Sequence, residues 1–523
     1  MCPMPQTRLL VLGFDSMDVE LVRRWAAAGY LPTFRRLFES AAWTDYIDPP
    51  EHMSGRIWTS IHTGLSPLRH DFSFFMRYCR ESYRMRMARP DDVRGDPFWK
   101  WFAQSGRRIV LADPPFAIPR PEYGGKQFWG WGLHDTPWRR SSVPKKLLPS
   151  LSADFGAHPI SRSHCYSYST EPDSLVQLRS GLLLGIERRT AMLNSLIADG
   201  DWDFFYGVYS EPHCAGHLMW HLEDDTHPRH RPDELAMLGH ALRDNYAAID
   251  HALGEVLACA GTDTTCAVFF SHGMGPNYHA EHLFPEFLGK FNRRWEGKSP
   301  DEDLEGERRG WFDSVWRSSI RTLPAAWRGR VTQRLPISLR GRISVLRQPG
   351  YRVRSRMLAF SLSLDVFSSL RVNLVGREPQ GRIRPGEEYR RYLDAFTEEL
   401  SQLTNIESGK PAVERIFRAD HQVDPPTIGS MPDLIVWWSK ERPIRAIQSR
   451  TLGAISGTDT EIRTGEHAMR GMLLVSHPRA KRGHRTIAGM NALDIPATLC
   501  DLAGIQPGGH LDGTSRVRDF MVG

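Results

Sequence analysis

The 523-residue chain has only seven cysteines, and no two of them have the two-residue spacing of a thiolate zinc site. Their odd number also argues against a framework of disulfides, so reduced and mostly buried thiols are expected. No stretch approaches the roughly 20 apolar residues that a membrane span needs. The first apolar run is too short, and its first acid comes too early, for a secretory signal. These absences predict a cytoplasmic protein without a transmembrane segment.

The sequence also lacks a strong excess of one charge. Its formal net charge is +6, and its 67 basic and 61 acidic residues are interspersed through most of the chain. No basic tail or uniform basic stripe indicates a nucleic-acid-binding module, whereas a small phosphate-bearing substrate is compatible with this balance. A chain of this length is compatible with one large domain that carries insertions and also with two domains.

Apolar runs alternate with amphipathic segments over most of the chain, which is typical of proteins with a parallel sheet. The strands predicted before the insertion cover residues 8–14, 43–47, 108–112, 203–209 and 266–270. The helices predicted there cover residues 18–28, 31–40, 97–105, 172–199 and 233–259. Further strands at 370–375, 433–438 and 472–476 and helices at 386–403 and about 493–503 follow it. The sequence therefore predicts an α/β fold with a mostly parallel central sheet.

The alternation is interrupted by an arginine-rich segment. Residues 306–356 contain thirteen arginines, several tryptophans and few acids. We expect residues 286–360 to form an insertion or cap between two parts of a catalytic α/β core, residues 1–285 and residues 361–523. Arginines mixed with tryptophans also fit peripheral contact with an acidic membrane surface, but a solvated cap is commoner and is favoured.

An aspartate and four histidines stand beside predicted strands. Asp15 ends the first apolar run, and ligands of open α/β sheets bind beyond the carboxyl ends of the strands. His213 and His217 are four residues apart, so a helix would place both imidazoles on one face, a spacing that zinc sites use. His272 and His467 stand beside two further strands.

A single histidine at such a position is more commonly a polar side chain whose hydrogen bonds are satisfied by the protein or by solvent. His221, one turn after His217, would extend the same helix face. Together, four imidazoles and the hard carboxylate of Asp15 indicate a metal site. Neutral imidazole suits zinc, and manganese is the alternative.

Ser54 is the candidate nucleophile. It lies in EHMSGRIWTSIHTG, and a helix is expected to start just after it. Free N–H groups and the positive end of the helix dipole would bind the oxygens of a phosphate and favour an alkoxide there. A serine at this position is also simply a good helix N-cap, so the position alone does not decide between the two roles.

These segments, in this order, resemble the alkaline phosphatase superfamily, specifically its type I phosphodiesterase/nucleotide pyrophosphatase branch and bacterial predicted phosphohydrolases. The resemblance runs along nearly the whole chain, and the stretch with GREPQG and GEEY is its most specific part. The matching segments are LLVLGFDSMD, GYLPTFRRL, WTSIHTGLSPLRHDF, SEPHCAGH, FFSHGMG, RVNLVGREPQGRIRPGEEY, GEHAMRGMLLV and ALDIPATLCDLAGI.

The resemblance implies a three-layer α/β/α fold and two metal sites. His213, His217 and His467 would form the first site, where the family uses Asp, His and His. The second site would take Asp15, the Ser54 hydroxyl and His272, but its second carboxylate is missing because Ser271 stands at that position. Four residues are candidates to substitute for the missing ligand: Asp18, Glu51, Glu211 and Ser271.

The resemblance also implies the activity, a metal-dependent phosphoesterase acting through a phosphoserine on Ser54. Diesters or pyrophosphate-type bonds are preferred over simple monoesters on this basis. A non-catalytic or mononuclear metal-binding member of the same fold, acting as a binding module, is the alternative, favoured by the lost carboxylate and by Arg56 near Ser54. A sulfatase is excluded, because the residues after Ser54 lack the Pro and Arg that guide formylglycine formation.

Overall fold

The computed structural model describes most of the chain, which divides into two compact units. The described residues are 8–52, 55–73, 76–133, 138–160, 168–300, 351–362, 367–459 and 461–522. The first unit comprises Met1–His70, Val93–Pro276 and Ile462–Gly523, and the second comprises Asp71–Asp92 and Asn277–Glu461. Among the helices described, none combines the length and the apolar character needed to cross a membrane.

The strands and helices are numbered in chain order. The strands are β1 (Leu9–Phe14), β2 (Ala42–Ile47), β3 (Met76–Cys79), β4 (Arg84–Met87), β5 (Ile109–Ala112), β6 (Lys126–Trp129), β7 (Ser141–Val143), β8 (Phe204–Tyr209), β9 (Thr265–Phe270), β10 (Gly273–Pro276), β11 (Ala359–Ser361), β12 (Ser368–Val372), β13 (Thr404–Asn405), β14 (Val413–Arg418), β15 (Leu434–Trp438), β16 (Ala446–Ser449), β17 (Gly453–Ser456), β18 (Gly465–Ala468), β19 (Arg470–Ser476) and β20 (Gly483–His484). The helices are α1 (Val19–Ala27), α2 (Pro32–Ser40), α3 (Gly55–Thr63), α4 (Pro67–His70), α5 (Trp99–Gln104), α6 (Leu147–Phe155), α7 (Pro172–Ala198), α8 (Glu211–Met219), α9 (Pro232–Leu238), α10 (Ala241–Ala260), α11 (Phe284–Trp295), α12 (Tyr351–Arg354), α13 (Glu387–Ser401), α14 (Asp494–Leu502) and α15 (Val517–Phe520).

The first unit is built on one large sheet, nine-stranded over the described residues, in the order β20-β2-β19-β9-β1-β8-β5-β6-β7. The central strand β1 pairs in parallel with β8 on one side and β9 on the other, with Phe14 opposite Tyr209 and Phe270. Strand β19 runs antiparallel between β9 and β2, and β7 is antiparallel to β6. The sheet is thus mostly parallel, as the sequence predicts.

Two hydrophobic cores lie on the two faces of this sheet. Leu10 and Leu12 of β1 belong to one core, and Leu9 and Val11 belong to the other, because successive side chains of a strand point to opposite faces. The first core is completed by apolar residues of α1, α2, α7 and α10, and the second by those of α3, α5 and α14. Helices on both faces confirm the three-layer α/β/α fold.

The prediction of one continuous helix over residues 233–259 is wrong. The structure has two helices there, α9 and α10, with Gly239 between them at φ 58°. A glycine in this left-handed conformation is a common end of a helix, since it lacks the Cβ that would make the conformation costly. The apolar periodicity of the segment did not reveal the break.

The second unit is built on antiparallel strands. Its four-stranded sheet has the order β11-β12-β15-β14, and smaller sheets are formed by β13-β16-β17 and by the β3–β4 hairpin. Helices α11 and α13 contribute to its core. Residues 361–461, assigned from the sequence to the catalytic core, lie in this unit. The predicted insertion at 286–360 stays a prediction, because residues 301–350 lie outside the described part.

The most family-specific motif, GREPQG, forms a buried ion-pair network in the second unit. The Arg377 guanidinium donates to both carboxylate oxygens of Asp433, at 2.6 and 2.7 Å. Glu378 accepts from Arg377 at 2.9 Å and from Arg371 at 2.8 Å, and the Tyr389 hydroxyl donates to Asp433 at 2.7 Å. The motif therefore holds the interior of this unit together.

Candidate metal centre

The site residues follow three adjacent strands of the large sheet. Asp15 comes directly after β1, and His272 follows β9 by one residue. His213 lies in the first turn of α8, which begins two residues after β8. Because β1, β8 and β9 are parallel neighbours, their carboxyl ends place all three side chains at one edge of the sheet.

The remaining two histidines come from α8 and from a strand pair beside it. The four-residue spacing of His213 and His217 is helical, as predicted, since both lie in α8. His467 lies in β18, which pairs with β10 so that His467 is opposite Met274. Five of the six predicted ligands, Asp15 and the four histidines, are buried, and the sixth, Ser54, lies outside the described residues.

The first group of donor atoms consists of His213, His217 and His467. One nitrogen from each ring lies within 4.8 Å of the others. The ring centroids are 4.4 Å apart for His213 and His217, 4.8 Å for His213 and His467, and 4.9 Å for His217 and His467. This is the first site that the family resemblance implies.

The protonation of His217 is fixed by its neighbour. Its Nδ1 lies 2.8 Å from the carbonyl oxygen of Gly465. A carbonyl only accepts, so Nδ1 carries the proton and Nε2 presents its lone pair. A histidine held in this way is typical of metal sites, where a backbone carbonyl orients the ligand from behind.

His467 is held in its neutral form. Burial, followed by the charges of His272, His213 and His217, moves its pKa well below 6.5. Its backbone N–H donates to the Glu466 carboxylate at 2.9 Å, and Arg463 pairs with the same carboxylate at 3.0 Å. Neutral imidazole is the form that binds metal ions.

The second group consists of Asp15, His213 and His272, and it shares His213 with the first. Asp15 Oδ2 lies 3.4 Å from His213 Nδ1. The other oxygen of Asp15 accepts a 3.0 Å hydrogen bond from Nε1 of Trp58, which ties α3 to this carboxylate. Helix α3 begins at Gly55, as the sequence predicts, and Ser54 itself lies outside the described residues.

Ser16 is a site residue that the sequence analysis missed. Its Oγ lies 2.8 Å from His272 Nε2, 3.0 Å from His213 Nδ1 and 3.3 Å from Asp15 Oδ1. The residue is fully buried and has φ 58°. The sequence feature that could have identified Ser16 is its position, because its hydroxyl comes directly after Asp15, the residue that follows β1.

Of the four candidate substitutes, Ser271 and Glu211 have other partners. Ser271 Oγ contacts Nδ1 of His272 at 2.9 Å, behind the nitrogen that faces Ser16. Glu211 accepts from Arg189 at 2.9 Å and contacts His158 at 3.0 Å. Burial alone would raise the pKa of Glu211, but Arg189 and His158 outweigh it and lower that pKa to about 2.

The other two candidates lie near the same edge of the sheet. Asp18 is the N-cap of α1 and accepts from the backbone N–H of Leu21 at 2.8 Å. Burial raises the pKa of Asp18 to about 6, although the hydrogen bond from Leu21 opposes the rise. Glu51 is buried in the short turn Pro50–His52.

His221 does not continue the ligand face of α8. Its Nδ1 contacts the Thr464 hydroxyl at 3.1 Å, and its Nε2 contacts Glu234 at 3.2 Å. In the second unit, His279, His282 and Asp459 form another group with metal-ligand geometry, partly exposed to solvent. Metal ions bound by this group would add to the number of ions measured per chain.

The donor set at the sheet edge fits divalent metal ions of the zinc type. It offers four imidazoles and one carboxylate, buried and close enough to coordinate jointly. The carbonyl behind His217 and the hydroxyl behind His272 are orienting contacts of the kind that metal-bound histidines make.

A three-layer α/β/α fold with this site at the carboxyl edge of its sheet defines a hydrolase of the alkaline phosphatase superfamily. The chain belongs to the type I phosphodiesterase/nucleotide pyrophosphatase family, whose model matches residues 9–298, more than half of its length. The members of this family are phosphoesterases.

Solved structures show the same fold at low sequence identity. Phosphonoacetate hydrolase from Sinorhizobium meliloti 1021, in complex with phosphonoacetate, has 12% identity and a TM-score of 0.53, covering 95% of this chain and 97% of its own. An inactive variant of murine ectonucleotide pyrophosphatase/phosphodiesterase 5, in complex with AMP, has 11% identity and a TM-score of 0.50, covering 99% and 100%. No curated relative matches the chain by sequence.

Proposed function

We propose that the protein is a metal-dependent phosphoesterase that hydrolyses phosphodiester or pyrophosphate-type bonds through a phosphoserine on Ser54. The observation that carries this proposal is the pair of donor groups sharing His213 at the carboxyl edge of the sheet. The family match supports the class of bond. Zinc is the proposed ion, with manganese as the alternative.

Each ligand has a defined place in this proposal. His213, His217 and His467 would hold one ion, and Asp15 and His272 would hold a second. His213 lies in both donor groups, but a neutral imidazole has one lone pair and therefore binds only one of the two ions. Two ions in such a site polarise the phosphoryl group and stabilise the charge of an in-line displacement. The hydrogen bonds to Asp15 from Trp58 and to Gly465 from His217 keep the donor atoms oriented before any ion binds.

Ser54 is proposed as the nucleophile. Its oxygen would bond to phosphorus as the bond to the leaving oxygen breaks, and a water would then release phosphate or a phosphomonoester from the serine. The start of α3 at Gly55 supports this role, because the first N–H groups of a helix bind phosphate oxygens. The substrate class is a small phosphoester, in keeping with the absence of a basic stripe.

The second candidate is a mononuclear or non-catalytic metal-binding member of the same fold. The observation that favours it is the single carboxylate in the second donor group, Asp15, where Ser271 replaces an acidic ligand. A second ion would bind less tightly there, since one anionic ligand fewer neutralises its charge.

The deciding experiment measures metal content per chain and hydrolysis of aryl phosphate mono- and diesters with added zinc or manganese. Two ions with diester turnover are expected. Ser54→Ala should lower kcat by roughly 10⁴-fold or more while the metal content stays unchanged. Ser60→Ala, in the same helix but bonded to His70, is the matched control and should retain turnover. Metal without turnover on any ester would favour the binding module, and full activity of Ser54→Ala would remove Ser54 from the mechanism.

A further inference from the structure

The second donor group has one carboxylate fewer than the family resemblance implies, because Ser271 stands at that position. Ser271 cannot fill the place of the missing carboxylate from its present position, because its hydroxyl contacts His272 Nδ1. Ser16, in contrast, contacts Nε2 of the same ring. The two serines therefore lie on opposite sides of the His272 imidazole, and Ser16 is on the side that faces Asp15 and His213.

The distances between donor atoms are those of one coordination sphere. Ligand atoms at about 2.1 Å from an ion lie roughly 3.0 Å apart in an octahedral arrangement and about 3.4 Å apart in a tetrahedral one. Ser16 Oγ lies 2.8 Å from His272 Nε2 and 3.3 Å from Asp15 Oδ1. These distances suit donors around a single ion, and they leave His213 as a ligand of the first ion.

The backbone of Ser16 is held in a conformation that a serine rarely adopts. Its φ of 58° lies in the left-handed region, where residues with a Cβ are uncommon. Such conformations persist where the surroundings determine them, and they are concentrated at functional sites. Here the conformation directs the hydroxyl into the donor group at the end of β1.

We propose that Ser16 is the ligand that completes the second metal site in place of the carboxylate this chain lacks at position 271. The inference rests on the proposed dinuclear site.

Cobalt titration of the metal-free full chain tests the assignment without any need for turnover. The ions bound are counted, and the visible absorption of cobalt reports their coordination. All proteins carry His279→Ala and His282→Ala, so that the separate group in the second unit does not contribute. The test variant is Ser16→Gly, because glycine accepts the positive φ and removes only the hydroxymethyl group. The matched control is Ser271→Ala, on the other side of the same imidazole.

Two cobalt ions are expected in the parent protein. Ser16→Gly should raise the Kd of the second ion by roughly 100-fold or more, whereas loss of the orienting Ser271 hydroxyl should raise it by about 10-fold. Ser16→Asp, which supplies a carboxylate at a φ that aspartate tolerates, should restore tight binding of the second ion. An unchanged second Kd in Ser16→Gly overturns the assignment, as does a parent protein that binds one ion only.

The result is distinguishable from a failure of the proposed function. If Ser16→Gly loses the second ion but the parent hydrolyses no phosphoester, then Ser16 is a ligand and the catalytic proposal fails. If the parent hydrolyses diesters and Ser16→Gly keeps both ions, then the catalytic proposal stands and the ligand assignment fails.

Discussion

His217 donates a 2.8 Å hydrogen bond from Nδ1 to the carbonyl oxygen of Gly465. This bond joins α8 to β18, the two elements that supply the first donor group. The backbones of α8 and β18 come very close together here, because a Cβ added at Gly465 would collide with the carbonyl oxygen of Gly216 in α8. The absence of a side chain at position 465 therefore controls the positions of His217 and His467, two of the proposed metal ligands.

Gly465→Ala should weaken the first metal site without removing a ligand. The added methyl group would force β18 away from α8, which lengthens the bond to His217 and displaces His467. We expect the zinc Kd of the first site to rise roughly 10- to 100-fold, as for other losses of orienting contacts. Titration of metal-free protein with zinc measures this change. Gly275→Ala in the paired strand β10, which meets only Ala468 at 3.9 Å, is the control and should bind as the parent does.

Ser271→Asp should strengthen the second site by a smaller amount than its sequence position suggests. The Ser271 side chain contacts His272 Nδ1, so a carboxylate there would act first as an orienting partner of the imidazole. We expect the second-ion Kd to fall by about tenfold, equivalent to roughly 1.4 kcal/mol. Manganese-supported turnover should also rise, since the site gains an oxygen donor. A fall of several thousandfold would instead indicate that the new carboxylate binds the ion directly.

Glu211 should make the stability of the first unit sensitive to acid. Its folded pKa of about 2 lies below the usual 4.5, so its contribution is present above pH 4.5 and is lost as the pH falls toward 2. The difference corresponds to roughly 3 kcal/mol. Urea unfolding at pH 6, 4 and 3 should show the parent losing its advantage over Glu211→Gln.

Arg377→Met should destabilise the second unit strongly. The substitution leaves the Asp433 carboxylate buried without the guanidinium that lowers its pKa against the effect of burial. Removal of one partner of a buried pair costs about 3–5 kcal/mol, which urea unfolding followed by tryptophan fluorescence would measure. Arg384→Met removes an exposed pair with Glu388 and should cost less than about 1 kcal/mol. Equal losses in the two variants would contradict the structural role of the motif.

The fold was predictable because its signals are local. The apolar run of β1 and the residues after it are read directly from the sequence, and so are the strands at 203–209 and 266–270 and the four-residue spacing in α8. Parallel pairing of these strands then explains why Asp15, His213 and His272 meet. Asp15 and the four histidines, five of the six predicted ligands, are brought together because each closely follows, or lies within, a well-patterned element.

What escaped prediction depends on geometry that no local pattern encodes. The left-handed backbone of Ser16 turns its hydroxyl toward two histidines that lie about 200 and 250 residues away in sequence. Glu211 is the first residue of α8, the helix that carries His213 and His217, but it pairs with Arg189 instead. GREPQG was the most specific match to the family, and its arginine and glutamate serve the interior of the second unit. A motif that is specific to the family was therefore not evidence of a role in catalysis, because its residues pack the interior.

The central position of β1 has a consequence for how the site can change. Neighbouring strands of a sheet are about 4.8 Å apart. The main-chain hydrogen bonds that join β8, β1 and β9 therefore fix the spacing of the donor residues that follow these strands. Residue types at the tips of these strands can be exchanged, as Ser271 illustrates, while the dimensions of the centre are preserved by hydrogen bonds that no side chain contributes.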